Sequence, residues 1–112
     1  MNSKSLEVYE QIIAAIPEIE RKGKANPYTS DNTYMFSLVN KDGEFGFRFS
    51  EARKKELIEE LGASELRSYG AVMRGYVKIP EALYADEIRL IALLKESHQY
   101  VLSLPPQTSK KK

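Results

Sequence analysis

The clearest pattern in the chain is an alternation of aromatic residues with small or polar residues just before position 50. The aromatic positions are Phe45, Phe47 and Phe49. Alternation with a period of two places all three rings on one face of a β-strand. The preceding residues 40–43, Asn-Lys-Asp-Gly, are typical of a tight turn, and an apolar run comes before them. We therefore predict a β-hairpin over residues 34–49.

Three other segments show the three- and four-residue spacing of apolar positions that is typical of amphipathic helices. They cover residues 5–16, 51–61 and 87–103. Ser50 and Asp86 precede the second and third segments, where their side chains can cap the first turn. Pro17 ends the first segment, and Gly62 follows the second at the position of a left-handed cap. These signals predict three helices with defined ends.

The second half of the chain predicts a short strand over residues 66–69 and a longer one over residues 72–79. Alternation divides the longer strand into two sets. Met73, Val77 and Ile79 fall on one face, and Arg74, Tyr76 and Lys78 fall on the other.

Strands that meet through hairpins, with helices between the hairpins, favour the α+β class with an antiparallel sheet. We predict a two-layer fold with the helices on one sheet face, in an order close to α-β(2-3)-α-β(2)-α. The other face of the sheet is expected to contact water or a partner. With 112 residues the chain predicts one domain over residues 1–104, followed by a disordered basic tail over 105–112.

Composition removes several classes of function. There is no cysteine and only one histidine, which excludes a disulfide, a thiolate zinc site and a zinc site with several histidine ligands. No EF-hand, P-loop or dinucleotide-binding spacing occurs, and we expect no metal and no cofactor. The net charge is +1, and three of the 17 basic residues form the terminal run Lys110–Lys112. Nucleic-acid-binding domains carry a clear basic excess, so we do not expect direct contact with nucleic acid. No segment is apolar enough to predict a membrane span or a leader, and we expect a cytoplasmic protein.

Candidate catalytic groups are few. His98 lies near the end of the third predicted helix, and no sequence neighbour faces it there, so we interpret it as a partly exposed helix histidine. Adjacent acids such as Glu59 and Glu60 diverge by roughly 100° on a helix and cannot share a proton. We therefore predict no catalytic residues and no enzyme.

The strongest candidate for binding is the sheet face opposite the helices. Arg48, Arg74 and Lys78 are expected to project from it together, with Tyr76 and possible contributions from Tyr34 and Tyr28 at the margin. Arginine offers a planar fork for carboxylate or phosphate, and tyrosine offers a flat surface with a polar tip. The alternative is that Arg48 and Glu44, with their neighbours, form exposed cross-strand ion pairs, and that Tyr28 belongs to an ordinary turn.

Two stretches also carry a resemblance to a known family. They are PYTSDNTYMFSLVNKDGEFGFRFS at 27–50 and YGAVMRGYVKIPEAL at 69–83. They resemble the N-terminal domain of the TfoX/Sxy family, and the flanking segments resemble short stand-alone members. The resemblance implies an α-β(3)-α-β(2)-α arrangement, a regulator-like role and no known cofactor or reaction. The family's glycine-rich first strand is replaced here by residues 27–30.

Together these features predict a non-catalytic interaction or regulatory module. Its partner would be a protein or a second copy of the chain, bound through the open sheet face or an unpaired sheet edge. The alternative function is a domain that binds a small anionic ligand or a nucleotide through the same arginines.

Overall fold

The computed structural model describes residues 3–24, 26–68 and 70–106. Its three helices and five strands are, in chain order, α1 (Ser3–Ala14), β1 (Tyr28–Asp31), β2 (Tyr34–Val39), β3 (Phe45–Arg48), α2 (Glu51–Leu61), β4 (Ser64–Ser68), β5 (Ala71–Lys78) and α3 (Glu87–Leu102). The predicted α+β class and order of elements are confirmed, and a short first strand precedes β2. No helix in the described part of the chain is long and apolar enough to cross a membrane.

The strands form one antiparallel sheet in the order β1-β2-β3-β5-β4. The predicted hairpin over residues 34–49 is confirmed, with Val39 opposite Phe45 next to its turn. The pairing of β1 with β2 shifts by one residue at Thr29 and Ser30. This bulge increases the local twist of the edge of the sheet.

The main core lies between one sheet face and the three helices. Phe45, Phe47 and Phe49 are all buried in it, as their alternation predicts. The helix signals are also confirmed. Ser50 accepts a hydrogen bond from the backbone N–H of Arg53, and Gly62 adopts the left-handed conformation that ends α2.

The second sheet face is not open, which corrects the prediction that it contacts water or a partner. A second apolar cluster covers much of it, in which Leu66 and Tyr76 are 0% and 4% exposed. Gly75 has φ of +83°, and β5 carries extra residues there relative to β4. This irregularity breaks the alternation along β5. Met73 therefore packs against Leu66 and Tyr76, not in the main core beside Val77 as predicted.

Both edges of the sheet are also partly covered, which reduces the backbone that an edge strand offers for docking. Lys22 makes two backbone hydrogen bonds with Tyr28 along the outer side of β1. At the other edge, the Asn40 side-chain amide donates to the Arg67 carbonyl at 2.7 Å. Such contacts limit the pairing of an edge strand with another chain.

The end of α3 is tied to the sheet. The Tyr34 hydroxyl donates to the Pro105 carbonyl at 2.5 Å, just beyond the helix. Pro105 and Pro106, the first residues of the predicted disordered tail, are therefore part of the described fold. The rest of the predicted tail, residues 107–112, lies outside the described residues.

Candidate functional site

An open cleft of about 840 Å³ lies beside the sheet. The beginning of α2, the irregular part of β5 and the end of α3 border it. Arg48, Lys54 and Arg74 supply positive charge to its lining, and Glu51 and Glu65 supply negative charge. Of the predicted binding residues, Arg48 and Arg74 therefore lie in the same cleft.

Arg48 is half-buried and held against aromatic rings. Its Cζ atom lies 5.2 Å from the centroid of the Tyr34 ring, a cation–π contact. It also pairs across the strands with Tyr76. Burial raises the pKa of the Tyr76 hydroxyl, and the nearby positive charge of Arg48 acts in the opposite direction. The guanidinium is thus positioned before any ligand arrives.

Arg74 lies on the exposed part of β5. Within the described residues, neither its guanidinium nor that of Arg48 lies within ion-pair distance of a carboxylate. In contrast, Arg53 contacts both Glu56 and Glu96, with nitrogen–oxygen distances of 3.1 and 2.7 Å. The cleft therefore presents two guanidinium groups whose charge is not neutralised by a protein carboxylate in that part of the chain.

The third cation of the cleft is arranged differently. The Lys54 side chain is 9% exposed, and its Nζ atom lies 3.1 Å from Oε2 of Glu65 on β4. The Glu65 side chain remains 47% exposed. A buried ammonium group needs such a partner because desolvation of an unpaired charge is costly.

The other predicted site residues lie elsewhere. Tyr76 is buried, and its hydroxyl donates to the Met35 carbonyl at 2.7 Å, so it is not displayed for a ligand. Lys78 pairs with Glu44 at 3.2 Å, so the predicted partner of Arg48 contacts the neighbouring lysine. Tyr28 packs against the second apolar cluster and borders a different, smaller depression.

Glu44 has a second hydrogen-bond donor besides Lys78. The Asn40 amide and then the Lys78 ammonium lower the pKa of the Glu44 carboxyl, against the effect of burial. The hydrogen bond between Asn40 and Glu44 therefore stabilises the β2–β3 turn. The ion pair with Glu44 gives Lys78 a partner within the protein.

His98 has a partner that the sequence did not reveal. Its Nε2 atom lies 2.7 Å from Oδ2 of Asp31, and its ring stacks on Phe36 with centroids 4.9 Å apart. The interpretation of His98 as a partly exposed helix histidine is wrong, because the side chain is buried. The hydrogen bond from His98 is the main reason that the pKa of the Asp31 carboxyl is lowered.

The His98–Asp31 pair does not form a nucleophilic triad with its sequence neighbour Ser97. The Ser97 hydroxyl contacts the carbonyls of Phe36 and Arg48, at 3.1 and 2.5 Å. In the described residues no group of three or more histidine, cysteine, aspartate or glutamate side chains could hold a metal ion. This geometry attaches α3 to the sheet.

No known protein-family model and no curated protein matches the chain. The similarity to the TfoX/Sxy N-terminal domain stays a prediction from the quoted residues.

Proposed function

We propose that this protein is a non-catalytic binding module that holds an acidic segment of a protein partner in the cleft between Arg48 and Arg74. The observation that carries the proposal is the pair of guanidinium groups that share this cleft without a carboxylate partner among the described residues. Arginine binds carboxylates through two parallel hydrogen bonds, which adds directional specificity to the charge attraction.

The shape and walls of the cleft favour a protein segment. The cleft is open, and Val72 and Tyr100 supply apolar surface beside the charges. Val72 is one of the few large apolar side chains that the fold leaves exposed. A peptide with acidic and apolar side chains can use both kinds of surface, whereas a small anion uses only the charges.

The regulator-like role rests on the resemblance to the TfoX/Sxy N-terminal domain. The order of elements in this fold is the order that the resemblance implies. Self-association through a sheet edge receives less support, because Lys22 and Asn40 occupy parts of the two edges.

A small anionic ligand or a nucleotide is the second candidate. The volume of about 840 Å³ falls within the range of small-molecule sites, roughly 300–1,000 Å³. The same two arginines would hold its phosphate or carboxylate groups. This candidate predicts that ATP raises the melting temperature of the protein and that hexaglutamate does not.

The proposal is tested by titrating labelled hexaglutamate peptide into the protein and following fluorescence anisotropy. We expect the double variant Arg48→Glu/Arg74→Glu to weaken binding by at least about tenfold, or 1.4 kcal/mol. The matched control is Lys24→Glu/Lys95→Glu, which makes the same change of net charge at two exposed positions outside the cleft. Equal weakening by both double variants would show unspecific attraction and would reject the cleft as the site.

Because Arg48 is half-buried against Tyr34, the double variant also needs a folding check. Arg74→Glu alone serves this purpose, since Arg74 is exposed and its replacement disturbs no core contact. We expect Arg74→Glu to retain the melting temperature of the parent protein and to lose part of the peptide affinity. Retained affinity in a folded Arg74→Glu protein would contradict the proposal.

A further inference from the structure

The pair formed by Lys54 and Glu65 lies in the wall of the cleft, next to Arg48 and Arg74. Both residues border the cleft, and both also border a shallow groove that runs along α2 past Ile58. The pair therefore stands where a bound segment would pass from one depression to the other.

Lys54 retains unused capacity to bind oxygen atoms. An ammonium group carries three N–H donors. The only hydrogen bond from Lys54 Nζ to a described residue is the one to Glu65 at 3.1 Å. Because the Lys54 side chain is 9% exposed, its position is fixed by packing and its charge is poorly screened by water.

Glu65 differs from Lys54 in its surroundings. Its side chain is 47% exposed, and Lys54 is its one hydrogen-bond partner in the described part of the chain. A carboxylate that leaves Lys54 can be rehydrated at once, whereas the buried ammonium needs a replacement partner. The pair is thus asymmetric, and only the acidic member can be exchanged without leaving a buried charge unpaired.

We propose that Glu65 is a built-in competitor of the ligand: a second carboxylate of the bound acidic segment replaces Glu65 on Lys54. This inference rests on the proposed function of the cleft and adds that the segment carries at least two acidic side chains. One of them contacts the arginines and the other contacts Lys54. Glu65 then sets the affinity of the cleft by competing for the same ammonium group.

The test is a double-mutant cycle on hexaglutamate affinity. Glu65→Gln keeps an oxygen acceptor near Lys54 but removes the competing charge, so we expect the affinity to rise about fivefold, as for loss of a partly exposed ion pair. Lys54→Met keeps the buried aliphatic volume and removes the ammonium. In the Lys54→Met background, Glu65→Gln is expected to change the affinity by less than about twofold, because no shared partner remains.

The outcomes separate this inference from the proposed function. If Glu65→Gln raises the hexaglutamate affinity equally in both backgrounds, the cause is a general effect of charge. That result would contradict the proposal that a ligand carboxylate replaces Glu65 on Lys54. No rise in the parent background would overturn it as well. Either result leaves the proposed function standing if Arg74→Glu still weakens hexaglutamate binding, whereas binding that is insensitive to Arg74→Glu rejects the function itself. Melting temperatures of all four proteins in the cycle confirm that each is folded.

Discussion

The Nε2 atom of His98 lies 2.7 Å from Oδ2 of Asp31, a contact that joins α3 to the end of β1. The turn between β1 and β2, which follows Asp31, contacts α3 at two further places. The Asn32 amide donates to the carbonyls of Val101 and Leu104, both at 2.7 Å, and so caps the C-terminal end of α3. The turn between β1 and β2 therefore fixes the helix that forms one wall of the cleft.

The contact between Asp31 and His98 predicts a pH dependence of stability. The folded state lowers the pKa of the Asp31 carboxyl, chiefly through the hydrogen bond from His98. The stabilisation is then fully present above the unfolded-state pKa of about 3.9 and is lost as the pH falls through the lower folded-state pKa. We expect Asp31→Asn to reduce the urea midpoint at pH 5, and the difference from the parent protein to shrink at pH 2.5.

Asp42→Asn is the matched control for this experiment, because Asp42 is exposed in the β2–β3 turn. Asp42 forms no ion pair with a described residue, so this variant measures how removal of one surface carboxylate changes the urea midpoint at each pH. If the difference in urea midpoint between Asp31→Asn and the parent protein is unchanged or larger at pH 2.5, the stabilising role of the Asp31–His98 contact is contradicted.

The backbone conformation of Thr33 favours glycine at this position. The residue has φ of +70°, in the left-handed region that β-branched residues rarely adopt. Turns with two successive left-handed residues favour glycine at the second position. We expect Thr33→Gly to be more stable than Thr33→Ala by about 1 kcal/mol, because both variants lose the threonine side chain and only glycine adopts this φ without strain. Urea denaturation measures the difference.

Asn32 offers the contrast within the same turn, with φ of +52°. Asn32→Gly also suits the turn but removes two hydrogen bonds to the end of α3, so this variant should be destabilised. An Asn32→Gly protein that is as stable as the parent protein would contradict the role of the Asn32 side chain in this turn.

A buried chain of hydroxyl groups connects α1 to the sheet. The Ser37 hydroxyl lies 2.6 Å from the Tyr9 hydroxyl and 2.5 Å from the Thr29 hydroxyl. Burial raises the pKa of Tyr9, so this phenol stays protonated over the whole usual pH range. We expect Ser37→Ala to cost about 2 kcal/mol, because it leaves two buried hydroxyl groups without their shared partner.

Tyr9→Phe should cost less than Ser37→Ala, about 1 kcal/mol, because Ser37 and Thr29 can still bond to each other. Chemical denaturation of the two variants ranks the costs. The reverse order would mean that Ser37 is not the centre of the network.

The second apolar cluster predicts that Leu66 supports the fold although it lies on the sheet face opposite the helices. Its side chain is fully buried among Leu38, Tyr76 and Met73. We expect Leu66→Ala to lower the unfolding free energy by about 2–4 kcal/mol. Val72→Ala, at an exposed position of the same hairpin, should cost less than about 1 kcal/mol. A loss of similar size in both variants would indicate that this face is open after all.

Local signals in the sequence were sufficient for most of the fold. Phe45, Phe47 and Phe49 specified the buried face of β3, and Ser50 and Gly62 marked the two ends of α2. These signals depend only on residues close together in the chain, where alternation and capping chemistry act directly.

The prediction failed where the backbone departs from regular alternation. At Gly75, β5 has extra residues relative to β4 and a positive φ, so Met73 does not lie on the same face as Val77. Met73 and Leu66 of the β4–β5 hairpin instead belong to the second apolar cluster. Counting by two along β5 cannot reveal such a bend, although glycine inside a strand is a recognised signal for one. The short β1 was also hard to foresee, because residues 28–31 have few apolar positions and pair through a bulge.

The candidate site was predicted in part. Arg48 and Arg74 do line one cleft, but Lys78 has a protein partner and Tyr76 is buried. Lys54 and His98 were missed as members of specific pairs. Their partners lie on strands, separated from them by 11 and 67 positions along the chain, so no local spacing could connect them.

The central claim is that acidic protein segments bind between Arg48 and Arg74. The most direct measurement is a map of backbone amide chemical-shift changes in the isotope-labelled protein during titration with hexaglutamate. We expect the saturable changes to centre on the residues that border the cleft, at positions 48, 49, 51, 54, 65, 72, 74, 75 and 100, and to be smaller in Arg74→Glu at the same hexaglutamate concentration. Changes centred on other surfaces, or a map that Arg74→Glu leaves intact, would contradict this claim.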